Sequence, residues 1–164
     1  MAARKSARRF WLVRSEPDVY SIDDLERDGA TCWDGVRNYQ ARNTLRDDMK
    51  RGDGVLFYHS NAKPLAIVGV ARISKEGYPD HTAWDPSTKY HDPKSDPQNP
   101  TWFMVDIEFV ARFASPLCRE QLVDEPELAG MALLQKASRL SVQPVTPAEW
   151  RHVLKLAGAK VQLG

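Results

Sequence analysis

Cysteine is scarce in this chain. Cys32 and Cys118 are the two present, too few for a disulfide framework and not spaced as metal ligands, so a reducing intracellular setting is the expectation. Long hydrophobic runs are missing as well: no stretch approaches the ~20 apolar residues that span a bilayer. The opening MAARKSARRF lacks the hydrophobic segment of a secretory signal. A soluble protein with no membrane partner is therefore predicted. An excess of one charge is also absent. The net charge is +1, and because Arg4, Lys5, Arg8 and Arg9 lie in the first nine residues, the remainder sums to −3. That excludes a wide basic surface holding nucleic acid by counterion release, so any such contact has to be local. There is no phosphate-cradling glycine loop, no G-x-S-x-G and no recognisable metal spacing. Neither a cofactor nor a metal is expected, and no residue declares itself catalytic.

What is present is a chain of 164 residues, enough for one domain with a real core. Residues 1–9 read as a basic, flexible tail, 10–158 as the domain and 159–164 as a C-terminal tail. Apolar runs and alternation predict strands at Arg9–Val13, Val55–His59 and Ala66–Ile73, in TWFMVDIEFVARF and in RLSVQPV. Ser21, with Asp24 three residues on and Gly29 as a stop, predicts a short capped helix. Thr146, Pro147, Glu149 and Gly158 frame a last helix, whose Trp150, Val153, Leu154 and Ala157 form a stripe that should dock on the sheet. Another helix is predicted from Asn38 to Lys50, with shorter pieces around Leu117–Val123 and Glu127–Gln135. PKSDPQNP reads as a loop. Strands interrupted by helices without regular alternation predict an α+β domain with a curved or barrel-like sheet.

The densest chemistry lies in WDGVRNYQARN, Trp33–Asn43, which packs an indole, a phenol, two guanidiniums and several amide or carboxylate groups into eleven residues. Such a mixture is poor material for a dry core, since an unpartnered buried polar head costs ~1–3 kcal/mol. It suits a wall that grips something flat and polar. Along the predicted helix, Ala41, Leu45 and Met49 make the buried face, and Arg42, Arg46 and Lys50 repeat one position round. With Arg37 these are the candidates for phosphate contact, against the plainer reading of a solvated face balanced by Asp47 and Asp48. In YHSN, His59 and Ser60 are adjacent on a strand and should point apart, which argues against a nucleophile-base pair.

Read together, FWLVRSEPDVYSIDDL, WDGVRNYQARN, MKRGDGVLFYHSN, YHDPKS and RLSVQPVTPAEW closely resemble the EVE domain family, in order and from about Phe10 to Leu156. The resemblance implies a single PUA-like domain, a curved β-barrel with flanking helices, related to PUA, ASCH and YTH domains. It implies a non-catalytic reader of a modified nucleobase, with modified cytosine in DNA or a modified base in RNA as the partner. The matched blocks place Ser15, Glu16 and Pro17, then Trp33, Val36, Asn38 and Tyr39, then Tyr58, His59 and Ser60, then Ser141, Gln143 and Pro144 around a central cleft. Trp33 and Tyr58 would stack on an extruded base, while Asn38, Ser15 or Ser60 would read its edge. Two departures stand out: Arg14 where lysine is usual, and Ala66 where glycine is frequent, neither among the proposed pocket residues. The family's extended eukaryotic N-terminal region is not matched, which points to a cytoplasmic protein, or a nuclear one if the source is eukaryotic. Two other readings stay open: an enzyme on a nucleotide or nucleic acid, with His59 or Glu16 as general base, and a small-molecule sensor using the same pocket.

Overall fold

Alternating burial along the strands sets the architecture. The computed structural model describes residues 8–135 and 140–163, so most of the basic N-terminal tail lies outside the described residues. β1 (Phe10–Ser15) sits between β3 (Gly54–His59), to which it runs parallel, and the antiparallel β6 (Val142–Val145). β3 pairs with β4 (Ala66–Pro79), β4 with β5 (Phe103–Cys118), and β5 with β2 (Ala30–Trp33), all antiparallel. The order across the six-stranded sheet is β2-β5-β4-β3-β1-β6.

The sheet is curved but open, which corrects the barrel expected from the sequence. Register shifts at Phe57/Tyr58 and at several points along β4 and β5 bend the long central strands. Closure would need a ladder between the edges, and β2 and β6, four residues each, do not pair with one another.

Successive side chains go to opposite faces. Trp11, Val13, Val55 and Phe57 enter one core, and Leu12, Leu56 and Tyr58 the other. The first face is covered by Ile22 and Leu25 of α1 (Ile22–Asp28), by Ala41 of α2 (Tyr39–Asn43), and by Leu45 and Met49 beyond it. The second is covered by Leu122 of α3 (Arg119–Leu122), by two 3-10 turns carrying Leu128 and Leu133, and by Trp150 and Val153 of α4 (Pro147–Ala157).

Both predicted capping boxes form. Ser21 Oγ accepts from the Asp24 N–H at 3.1 Å and Asp24 accepts from the Ser21 N–H at 2.8 Å. Thr146 and Glu149 exchange the same pair at 3.1 and 2.9 Å. The helix expected over Asn38–Lys50 differs: after five α-helical residues it widens into a π-helical turn, Thr44–Asp48. That turn lies directly on the backbone of β4, where a Cβ on Gly77 would come within 2.6 Å of the Leu45 carbonyl oxygen. β4 also runs past Ile73 to Pro79, and β2 is a strand that alternation did not reveal.

Candidate functional site

Because β1 and β3 are parallel, both leave the sheet at the same end, where the Ser60 N–H donates to the Ser15 carbonyl at 2.9 Å. The end of β2 brings Cys32 and Trp33 to the same region. With residues 34–37, Lys89, Tyr90 and Ser141, these segments line an open cleft of about 1180 Å³. Trp33 is half-buried, packed on the first core and meeting Phe57 edge to face, with ring centroids 5.7 Å apart.

A buried ion pair holds the wall that follows Trp33. Arg37 uses all five guanidinium N–H groups within the chain. Nη1 donates to Asp80 (3.0 Å) and the Val36 carbonyl, Nη2 to Thr82 Oγ1 and the Tyr90 carbonyl (2.6 Å), and Nε to the Tyr90 carbonyl. Asp80, with no exposed surface, also accepts from the Gly35 N–H (2.8 Å) and from Thr82. Burial opposes its ionisation, yet the hydrogen bonds from Thr82, Gly35 and Arg37 prevail and hold the carboxyl below its ordinary value. Gly35 has φ of 75°, and a Cβ there would lie 2.5 Å from the Tyr90 ring, so only glycine lets this turn and that ring meet. Asp34, by contrast, lines the cleft half-buried, and burial together with the Asp80 charge pushes its carboxyl up.

The EVE domain model matches residues 9–156, nearly the whole chain. The chain belongs to the EVE domain family. Thymocyte nuclear protein 1 of Rattus norvegicus is 40% identical over 175 residues, covering 95% of this chain and 76% of its own length. Among solved structures, a hypothetical protein from Leishmania major superposes with a TM-score of 0.89 at 43% identity, covering 94% of this chain and 98% of that one. The human THYN1 protein, solved in complex with 5-methylcytosine-containing DNA, superposes with a TM-score of 0.85 at 40% identity, covering 93% and 99%.

Of the site residues expected in this EVE domain, the structure brings Ser15, Glu16, Trp33, Val36, Ser60 and Ser141 into the cleft lining, with Arg37. Ser15 Oγ donates to the Tyr20 carbonyl (2.5 Å), and Glu16 accepts from Asn61 Nδ2 (2.8 Å). Pro17, Asn38, Tyr39, Tyr58, His59, Gln143 and Pro144 are not among the lining residues. Asn38 caps α2, its Oδ1 accepting from the Ala41 N–H at 3.0 Å. Tyr39 is exposed and stacks on Trp102 at 5.0 Å. Tyr58 is buried in the second core beneath the Arg14 guanidinium, and burial raises its phenol pKa. His59 Nε2 accepts from the Ile22 N–H at 3.1 Å, an acceptor role that requires the neutral ring, and burial lowers its pKa in the same sense. Gln143 is buried on β6, its Nε2 donating to the Leu140 carbonyl at 3.1 Å, while Pro144 is exposed.

The lining also includes Arg14, Tyr20, Cys32, Asp34, Asn61, Lys89 and Tyr90, none of which sequence reasoning assigned to the site. One of the two family departures, Arg14, therefore faces the cleft. Tyr90 opens the YHDPKS block and Asp34 sits inside WDGVRNYQARN, so both carried a signal. Along the helix edge each cation has a partner in its own chain. Arg42 donates to the Thr101 carbonyl (2.5 Å), Arg46 pairs with Asp47 (2.8 Å), and Lys50 lies 3.9 Å from Glu76. Among the described residues, Glu125, Glu127 and His152 could together approach a metal ion, on α4 and the turn beside it, not in the cleft. No helix among the described residues is long and apolar enough to cross a membrane.

Proposed function

We propose that this EVE domain is a non-catalytic reader that takes a modified base of a nucleic acid, modified cytosine in DNA before any other, into the cleft beside Trp33. The observation that carries the reading is a half-buried indole lining a cleft with polar groups around it. It stands in a chain 40% identical to a human protein solved with 5-methylcytosine-containing DNA. Extruding a base costs a few kcal/mol, and stacking on an aromatic ring returns ~1–3 kcal/mol, so Trp33 offsets much of that cost. The cleft volume, about 1180 Å³, exceeds the ~300–1,000 Å³ of common small-molecule pockets, which suits a nucleotide with its sugar and phosphates more than an isolated base. Arg14 and Lys89, which share that lining, supply positive charge for those phosphates in this reading. Arg42, Arg46 and Lys50 would contact phosphates further along by exchanging their present partners, and Arg37 acts by holding the wall. Against an enzyme with His59 as general base, its Nε2 is held as a hydrogen-bond acceptor for α1 and it does not line the cleft.

The test is fluorescence anisotropy with a DNA duplex carrying one 5-methylcytosine and with its unmodified twin, followed by mass spectrometry of the recovered strands. The methylated duplex should bind at least tenfold more tightly, as ~1–3 kcal/mol for a methyl group in an apolar pocket implies, and should be recovered unchanged. Equal affinity would overturn the reader, and a converted base would replace it with an enzyme.

A further inference from the structure

A stacked ring and a methyl pocket cannot by themselves tell 5-methylcytosine from thymine. Both are pyrimidines of the same size with a methyl group at position 5, and they differ at position 4, where one carries an amine and the other a carbonyl. A reader of methylated cytosine therefore needs a group that sorts donor from acceptor at that edge.

Among the described residues, two carboxylates line the cleft, and they differ in exposure. Glu16 is exposed to water and accepts from Asn61 through one oxygen, while Ser15 donates to the Tyr20 carbonyl and all five Arg37 donors are used. Asp34 is half-buried. It follows Trp33 directly, lines the same cleft, and besides its own backbone N–H its carboxylate meets, among the described residues, only a weak side-chain donor, the Cys32 thiol at 3.9 Å. A half-buried carboxylate with spare acceptor capacity, next to the stacking ring, matches the exocyclic amine of cytosine.

Resting on the reader proposed above, we infer that Asp34 is the specificity-determining residue of the cleft: its carboxylate accepts a hydrogen bond from the position-4 amine of 5-methylcytosine and repels the position-4 carbonyl of thymine. The preference depends on ionisation, because a protonated carboxyl offers an O–H that suits a carbonyl as well. Burial and then the Asp80 charge raise the Asp34 pKa, while its own backbone N–H, His81 and Arg37 lower it; the Cys32 thiol and the Tyr78 phenol also face it. Discrimination is thus full above the raised Asp34 pKa and fades as pH falls through it.

The experiment uses two DNA duplexes carrying either 5-methylcytosine or thymine opposite an abasic position, so that neither base gives up a pair when extruded. The unaltered chain should prefer 5-methylcytosine by roughly tenfold or more, Asp34→Asn should bind both alike because an amide can turn to offer donor or acceptor, and Trp33→Ala should lose both. As pH is lowered from neutrality through the raised Asp34 pKa, the wild-type ratio should fall while the Asp34→Asn ratio stays flat. Asp34→Asn removes a charge held against Asp80, so it should melt no lower than wild type. Equal wild-type affinity for the two bases, a ratio in the unaltered chain that ignores pH, or a preference that survives Asp34→Asn would each overturn the assignment. If Trp33→Ala still weakens binding in those cases, the reader stands without Asp34; if Trp33→Ala changes nothing, the reader falls too.

Discussion

Trp33 and Trp150 belong to opposite faces of one sheet and differ in what surrounds them. Trp150 is 5% exposed, stacked on Phe10 with centroids 4.5 Å apart, and carried by a helix capped at both ends. Its ring presses so close to β3 that a Cβ on Gly54 would meet it at 2.5 Å. Trp33 packs against Phe57 and the first core on one side and leaves the rest of its surface in the cleft. Trp150 shares its core with Leu12, Leu56 and Val153, whereas Trp33 shares the cleft lining with Asp34, Arg14 and Lys89. An enclosed indole contributes to folding stability, whereas a half-open one among polar groups keeps part of its free energy for a ligand.

Substitutions that treat the two faces alike should have unlike effects. Trp150→Ala should cost ~3–5 kcal/mol of stability, as loss of a fully packed indole does, read as a lowered denaturant midpoint, with DNA affinity retained wherever the protein remains folded. Loss of binding without loss of stability would erase the distinction between the faces. Gly35→Ala should cost ~1–3 kcal/mol, because the turn has φ of 75° and its new methyl would meet the Tyr90 ring. It should also weaken binding by displacing a cleft wall; an unchanged melt and unchanged affinity would show that the wall relaxes freely.

The smallest effect is expected on the helix edge. Arg46→Ala should leave the melting temperature where it is, since its ion pair with Asp47 is at the surface, and Arg42→Ala should lower it slightly, since its hydrogen bond to the Thr101 carbonyl is part-buried. For each arginine that exchanges its own partner for a phosphate, the slope of log affinity against log salt should flatten by about 0.9, evenly across sequences. Unchanged slopes in both would leave the stripe as a surface that serves its own chain.

Legibility in the sequence followed the range of the interaction. The boxes at Ser21–Asp24 and Thr146–Glu149 depend on residues three apart, and both formed as read. The buried Ala41, Leu45 and Met49 were likewise visible from spacing. The π-helical turn was not, because it depends on Gly77 from a distant strand. Nor was the Arg37–Asp80 clamp, whose partners are 43 residues apart with nothing in either neighbourhood to pair them. Strand alternation did say that His59 and Ser60 point apart, and of the two Ser60 lines the cleft, but which face bore the cleft depends on the parallel pairing of β1 with β3, a fact of topology. The same holds for Tyr90, which reaches the site through its packing on Gly35 and the hydrogen bonds that Arg37 donates to its carbonyl. The open edge between β2 and β6 was also beyond reach, since the resemblance that named the fold carries no register.

The most direct test of the account is the affinity of Trp33→Ala for the duplex carrying a single 5-methylcytosine, measured beside its thermal melt. Removing a half-buried ring should cost about 1–2 kcal/mol of stability, less than a full core deletion, so the variant should stay folded at 25 °C while its preference for the methylated duplex disappears. A folded Trp33→Ala variant that still prefers the methylated duplex as strongly as wild type would contradict the placement of the base beside Trp33.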